Sequence, residues 1–189
     1  MTKEELISEL AKLNISVTKQ NLKDLDRYKD LLIEYNQKFN LTAIKTEEEI
    51  YLKHFYDSLT LTKAINLNED LKLLDIGTGA GFPGLVLKIF YPNLKITLLD
   101  SNHKKIIFLE TVIKKLNLTN ITCINTRAES LPVNYREYFD IVTSRAVANL
   151  RILCELSIPY LKVGGKFIAM KGNALEEIKE STKILASLD

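Results

Sequence analysis

The sequence predicts an α/β fold with a mostly parallel sheet, preceded by a helical cap. Three observations carry this. Short apolar runs alternate with helical patterns of ten to fifteen residues from position 71 onward. A glycine-rich segment stands between the first such run and the helix after it. The first seventy residues lack strand-like runs and repeat apolar residues at helical spacing instead.

Leu6, Ile7 and Leu10 give a short amphipathic turn. A longer helix is expected from about Thr18 to Phe39, where Leu22, Leu25, Tyr28, Leu31, Leu32 and Tyr35 recur every three or four residues and Thr18 suits the N-cap. Asn40-Leu41-Thr42 breaks the pattern. Thr46 then opens a third helix, with acids in its first turn and Glu49 at the capping-box position, running to about Ile65. Beyond Asn66-Leu67-Asn68 the period changes. Strands are expected at Leu71–Ile76, Leu94–Asp100, Ile121–Asn125, Phe139–Ser144 and Lys166–Met170. Helices are expected at Phe82–Tyr91, Lys104–Leu116, Asn149–Leu161 and Ala174–Leu188. The one plausible boundary separates a cap, 1–66, from a core, 67–189, joined rather than independent.

Composition narrows the function. With 46% hydrophobic and 26% charged residues among 189, the chain is globular rather than disordered. No apolar run reaches the roughly 18 residues that span a bilayer, and the N-terminus has no apolar signal core, so a cytoplasmic protein without a membrane partner is expected. Cys123 and Cys154 form no CxxC pair and read as small buried residues; with only His54 and His103 to add, no metal site is expected. Residues 1–70 hold 10 Lys/Arg against 13 Asp/Glu, and residues 71–189 hold 16 against 11. The second part thus carries the positive field, with Lys104, Lys105, Lys114 and Lys115 on one helix. Singly these are solvated lysines; together they fit attraction to a polyanion.

The strongest local signal is Asp75-Ile76-Gly77-Thr78-Gly79-Ala80-Gly81-Phe82-Pro83-Gly84. Gly79, Gly81 and Gly84 satisfy GxGxxG, the dinucleotide fingerprint, which would make the chain an NAD-dependent oxidoreductase. Yet Pro83 has no N–H to give a pyrophosphate at the helix start. Asp75, Gly77, Gly79 and Gly81 also read as DxGxGxG. A carboxylate at the strand end would repel a pyrophosphate but suit the ammonium and nearby sulfonium of S-adenosyl-L-methionine. The second reading is the stronger. Asp100, 23 residues after Gly77, ends the second strand where an acid accepts from ribose hydroxyls, in either cofactor class; its rival role is a helix N-cap. Ala128 and Glu129 follow the third strand, where an adenine would lie.

The late strands exclude some chemistries. The Asn/Asp-Pro-Pro-aromatic turn of many amino-group methylases is absent after the fourth strand. Neither cysteine lies in a loop fit for a pyrimidine C5 nucleophile. Guanine N7 needs no strong base, because its lone pair is unprotonated at neutral pH; positioning and charge management suffice. Arg145 ends the fourth strand and could hold a phosphate or guanine O6, or form a structural ion pair. Leu161-Lys162-Val163-Gly164-Gly165 reads as a turn before the fifth strand, which ends at Lys171.

The sequence closely resembles the bacterial RNA small-subunit methyltransferase G family, also called the glucose-inhibited division protein B family. The matching elements, in order, are Asn36 with Asn40-Leu41-Thr42-Ala43-Ile44, His54 with Asp57-Ser58-Leu59, the DIGTGAGFPG loop, Leu99-Asp100-Ser101, Lys104-Lys105 with Phe108-Leu109, Arg127-Ala128-Glu129, Ser144-Arg145-Ala146-Val147-Ala148 and Lys171-Gly172. The resemblance implies a Rossmann-like class I methyltransferase that transfers a methyl group from S-adenosyl-L-methionine to N7 of a guanine in the 530 loop of 16S rRNA, alone or in the small subunit, acting as a monomer. It implies that Gly77, Gly79 and Gly81 line the methionine end, beside the Asp75 carboxylate read above, that Asp100 holds the ribose, and that Ala128 and Glu129 flank the adenine; Phe82 is expected among the cofactor-binding residues. Asn40, His54, Arg145 and Lys171 would surround the target base or its phosphates, Arg145 also touching the cofactor side. His54, three residues before Asp57, reads equally as half of a polar surface pair. Family members continue into two more strands of a seven-stranded sheet, whereas this sequence stops at Asp189. A sheet of about five parallel strands is therefore expected, its fifth strand an open edge. A catalytically inert ribosome-associated module is the remaining alternative.

Overall fold

The computed structural model describes residues 1–145, 148–172 and 177–178. Five strands form one parallel sheet: β1 (Lys72–Ile76), β2 (Lys95–Asp100), β3 (Ile121–Asn125), β4 (Phe139–Arg145) and β5 (Leu161–Met170), in the order β3-β2-β1-β4-β5. The order reverses between β1 and β4, so a crevice opens at their carboxyl ends.

The cap begins with α1 (Lys3–Lys12) and α2 (Lys19–Phe39). Thr18 caps α2 reciprocally with Asn21: Thr18 Oγ1 accepts from the Asn21 amide at 3.1 Å and Asn21 Oδ1 accepts from the Thr18 amide at 2.9 Å. The Asn21 side chain also donates to the carbonyl of Ile89 at 2.8 Å, tying the start of α2 to the sheet's first helix. Leu25, Tyr28, Leu31 and Leu32 are buried, as their spacing requires. Asn40 ends the helix in the left-handed conformation, φ 49°.

The third helix, α3, spans 47–63 but is not uniform. It is α-helical at Glu47–Ile50, π-helical at Tyr51–Tyr56, α-helical at Asp57–Leu59 and 3-10 at Thr60–Lys63. Thr46 accepts from the Glu49 amide at 3.3 Å, and its hydroxyl meets the Glu49 carboxylate at 3.2 Å. Apolar spacing does not reveal the π turn, because widening the helix by one residue leaves Ile50, Phe55 and Leu59 on the buried face.

The remaining helices are α4 (Gly84–Phe90), α5 (His103–Lys115) and α6 (Leu150–Ser157), the last continued by a 3-10 turn at Ile158–Tyr160. The expected turn at Leu161–Gly165 belongs instead to β5. Phe139 pairs with Leu161 and Ile141 with Lys166, so the extra residues bulge from the strand, with Gly164 at φ 80°. Asp140 anchors this end of the sheet: Oδ2 accepts from the Lys72 amide at 2.8 Å, and Oδ1 meets Lys162 Nζ at 2.6 Å. The helix expected at 174–188 lies outside the described residues apart from the helical Glu177 and Ile178. No helix among the described residues is long and apolar enough to cross a membrane.

One hydrophobic cluster runs from Leu6 and Leu10 through Leu25, Tyr28 and Phe55 to Leu73, Leu98, Phe108 and Ile141. Cap and sheet therefore share a core. Replacing the fully buried Leu25 by Ala is expected to cost about 2–5 kcal/mol, with helix and sheet signals lost in one urea transition. Two separate transitions would show that the cap folds apart from the sheet.

Candidate active site

A cavity of about 1250 Å³ occupies the carboxyl ends of β1, β2 and β4. Its floor is Ile76–Ala80 and Phe82. One flank carries Asp100, Lys105 and the segment 126–129; the other carries Leu41, Thr42, His54, Asp57, Arg145 and Lys171. The cap thus forms one wall, although nothing in its helical periodicity separates it from ordinary packing.

The glycine loop is held by its own backbone. The amides of Gly77 and Thr78 donate to the Leu99 carbonyl at 2.8 and 3.0 Å. Those of Gly81 and Phe82 donate to Thr78 at 2.9 Å, and that of Leu85 to Gly81 at 2.8 Å. The Gly84 amide donates to Asp75 Oδ2 at 2.8 Å, and Pro83 has none to give. From 81 to 85 the helix start therefore offers no amide to a phosphate.

Asp75 is fully buried and is not among the cavity-lining residues. Its Oδ2 also accepts from Thr78 Oγ1 at 2.7 Å, so the carboxylate staples the loop from beneath. Its Oδ1 is buried without a described partner. Burial raises its pKa to about 6, against the lowering pull of Thr78, Gly84 and Arg145. Gly81 also faces away from the cavity. A Cβ there would lie 2.5 Å from Leu85 and 2.6 Å from the Tyr28 hydroxyl, at φ 101°. The expectation that Asp75 and Gly81 line the methionine end gives way to loop-holding and packing roles. Gly77, Gly79 and Phe82 do line the cavity.

Asp100 reaches the cavity with most of its carboxylate engaged. Oδ2 accepts from the Gly79 amide at 3.0 Å and meets Lys105 Nζ at 3.3 Å; Oδ1 accepts from the Asn102 amide at 2.9 Å. Asn102, not Asp100, caps α5 with its side chain. Three of roughly four acceptor positions are occupied, and Lys105 is the most readily displaced. Ala128 is buried and Glu129 exposed on a 3-10 turn after β3, both at the cavity wall. The Tyr160 hydroxyl donates to the Ala128 carbonyl at 2.5 Å and fixes that turn.

Arg145 gathers the opposite wall. Its Nη1 donates to Asp57 Oδ2 and to the Lys53 carbonyl, each at 2.8 Å, and its Nη2 lies 3.0 Å from His54 Nδ1. A guanidinium only donates, so Nδ1 is the acceptor and Nε2 carries the proton. That Nε2 meets Thr42 Oγ1 at 3.0 Å. Asn36 in turn clamps the Thr42 backbone with two bonds of 2.9 Å. The Lys53 carbonyl, His54 and Asp57, at and just after the π turn, thus converge on one cation.

His54 is not a surface residue. It is 7% exposed and stacks on Phe82 with ring centroids 4.1 Å apart and planes at 9°. Burial, then the Arg145 charge, lowers its pKa to about 4, so it is neutral at pH 7. Its partner is Arg145; Asp57 pairs with Arg145 too. Lys171 lines the mouth and donates to the Ala148 carbonyl at 2.7 Å while pairing with Glu177. Asn40, expected beside the target base, is exposed, caps α2 and is not among the residues that line the cavity. Of the SRAVA segment, Ala146 and Val147 lie outside the described residues.

The sequence did not place Tyr28, Thr42, Asp57 or Lys105 at the site. Tyr28 donates its hydroxyl to the Ala80 carbonyl beneath the loop and stacks on Phe82. Its position on the apolar stripe of α2 disguised it as core. Thr42 and Asp57 stood within matched motifs, but only the fold brings them to Arg145.

Two buried groups give opposite pH dependences. Asp75 binds a proton more tightly folded, about 6 against an ordinary 3.8, so its contribution to stability falls as pH rises through that window. His54 binds it less tightly folded, about 4 against 6.5, so its contribution rises with pH through its own window. Each is worth about 3 kcal/mol, and they oppose each other between pH 4 and 6. In urea titrations over that range, His54→Gln should lose stability as pH rises and Asp75→Asn should gain it. Two profiles parallel to the parent's would contradict both assignments.

Comparison with known proteins accords with this geometry. The family model described as rRNA small subunit methyltransferase G (GidB) matches residues 21–189. The ribosomal RNA small subunit methyltransferase G of Leuconostoc citreum is 46% identical, over 100% of this chain and 81% of its own length. Its namesakes from Streptococcus pneumoniae and Acetivibrio thermocellus are each 47% identical, covering 98% and 97% of this chain and 80% and 76% of theirs. Among solved structures, a SAM-dependent O-methyltransferase from Thermotoga maritima aligns with TM-score 0.58 at 18% identity, over 82% of this chain and 55% of that one. A SAM-dependent methyltransferase from Aquifex aeolicus aligns with TM-score 0.55 at 21% identity, over 76% and 82%. These structures share the Rossmann-like fold, and the sequence match is far closer: the chain belongs to the rRNA small subunit methyltransferase G family.

Proposed function

We propose that this chain transfers a methyl group from S-adenosyl-L-methionine to N7 of a guanine in the 530 loop of 16S rRNA. The observation that carries the choice of cofactor is the engaged backbone at the start of α4: the amides of 81, 82, 84 and 85 are bonded within the loop and Pro83 has none. A pyrophosphate would find no donors there, which argues against a dinucleotide. The residues present fit the sulfonium nucleoside. Gly79 stands open to the cavity, where a Cβ would meet only the Gly77 carbonyl at 3.9 Å. Asp100 presents a carboxylate at the end of β2, and Ala128 and Glu129 close the same flank. The rRNA substrate is supported by family membership and by the relatives' names.

When bound, the cofactor supplies a sulfonium methyl group to an incoming lone pair. Guanine N7 would bring that lone pair unprotonated, so the N–C bond would form as the C–S bond broke and the chain would need to move no proton. The chain's task is to orient the base, exclude water and manage the positive charge that arrives on it. Neutral His54, already accepting from Arg145, supplies shape and stacking support through Phe82 rather than a base. Arg145 ties α3 to the end of β4 and fixes the wall against which the base would lie. Lys171 stands at the mouth, where a phosphate would pass.

The division of roles is testable by titration with S-adenosylhomocysteine alongside tritium transfer from S-adenosyl-L-methionine to small subunits and to naked rRNA. Asp100→Ala should weaken cofactor affinity about ten- to a hundredfold, as expected when a charged hydrogen-bond partner is lost. Arg145→Ala should bind the cofactor within about threefold of the parent, a difference smaller than one typical hydrogen bond, yet lose methyl transfer. Equal loss of cofactor affinity in both variants would contradict the assignment, and binding of NAD but not S-adenosylhomocysteine would overturn the cofactor. N7-methylguanosine should disappear from the 530 loop in cells lacking the gene.

A further inference from the structure

We infer that Asp57 is the specificity-determining residue that reads the guanine, accepting hydrogen bonds from N1–H and the N2 amino group of the target base. The inference rests on the proposed guanine-N7 reading and deepens it.

Guanine differs from adenine at O6, N1–H and the N2 amino group. If N7 receives the methyl group, the face left for recognition is the one carrying N1–H and N2–H, which are both donors. A site that selects guanine there needs an acceptor pair, and a carboxylate matches two parallel N–H groups. Among the described residues three acids line the cavity: Asp57, Asp100 and Glu129. Asp100 ends β2 with three acceptor positions taken, and Glu129 follows β3, so both lie on the β2–β3 flank that suits the cofactor's nucleoside. Asp57 lies on the other flank, against the end of β4.

Its state suits the task. Its side chain is 46% exposed, so a base can reach it. Oδ2 is held by Arg145 at 2.8 Å, whereas Oδ1 has no partner among the described residues. Arg145 is itself only 16% exposed and is fixed by His54 and the Lys53 carbonyl, so the carboxylate is aimed before any base arrives. Methylation at N7 places a positive charge on the ring and makes N1–H a stronger donor. A carboxylate on that edge therefore holds the methylated base more tightly than the starting one, and so favours the transfer as well as the recognition.

The test compares small subunits reconstituted with guanosine or inosine at the target position. Inosine keeps N7, O6 and N1–H and lacks only the N2 amino group. The unmutated chain should methylate inosine with kcat/KM about tenfold lower, the effect of leaving one acceptor unpaired. Asp57→Ala should fall at least about a hundredfold on guanosine, two contacts being lost, and should no longer distinguish the two substrates. Asp57→Asn should fall between. S-adenosylhomocysteine affinity, unchanged in both variants, reports that the site is folded. A purely structural Asp57 would lower both rates and preserve their ratio, and that result would overturn the inference. So would equal rates on guanosine and inosine with the unmutated chain, a comparison that needs no variant. Absence of transfer to any rRNA would instead remove the reading beneath it.

Discussion

The site depends on how the segment after β1 satisfies its own backbone. A turn that crosses from strand to helix leaves several amides unpaired, and buried amides need acceptors. Asp75 supplies one from below and Asp100 another from the side, while the carbonyls of Leu99, Thr78 and Gly81 take those of Gly77, Thr78, Gly81, Phe82 and Leu85. Asp75 thus serves by burial. Its carboxylate touches Thr78 and Gly84 instead of the cavity, and a Cβ on Gly84 would lie 2.8 Å from it. The loop is fixed before any ligand arrives, which lowers the ordering cost of binding.

The second organising feature is the join between cap and sheet. Tyr28 on α2 stacks on Phe82, and Phe82 stacks on His54 from α3. His54 bonds Arg145, which belongs to β4. The glycine-loop floor and the cap wall of the cavity are therefore in contact through aromatic faces and one partly buried cation. On α3 the Lys53 carbonyl, His54 and Asp57 lie around the same guanidinium, the first two within its π turn.

Much of this is legible in the sequence. Strand and helix alternation follows from periodicity, because the central strands β1, β2 and β4 bury both faces and the long helices α2 and α5 bury one. The loop and Asp100 are legible because their spacing reflects local geometry. What escapes depends on distant contacts. Asp75 and Gly81 read as cavity residues because a motif does not say which way a side chain points. Asn40 lies in a matched motif of which Thr42, two residues on, is the member that lines the cavity and meets His54, while Asn40 itself ends α2. His54 looks as much like a surface residue as a site residue until Phe82 and Arg145, 28 and 91 positions away, come to lie against it. The β5 bulge is hidden because Gly164-Gly165 signals a bend without saying whether pairing continues through it.

The central claim is that the pocket after β1 seats a nucleoside bearing an amino acid through its sulfur. A crystal structure of the chain with S-adenosylhomocysteine tests it most directly. The ribose hydroxyls should lie on Asp100, displacing Lys105, with the amino-acid end over Gly77–Ala80 and the base beside Ala128. A ligand seated elsewhere, or a dinucleotide whose phosphates replace the loop's own bonds at 81–85, would contradict the account.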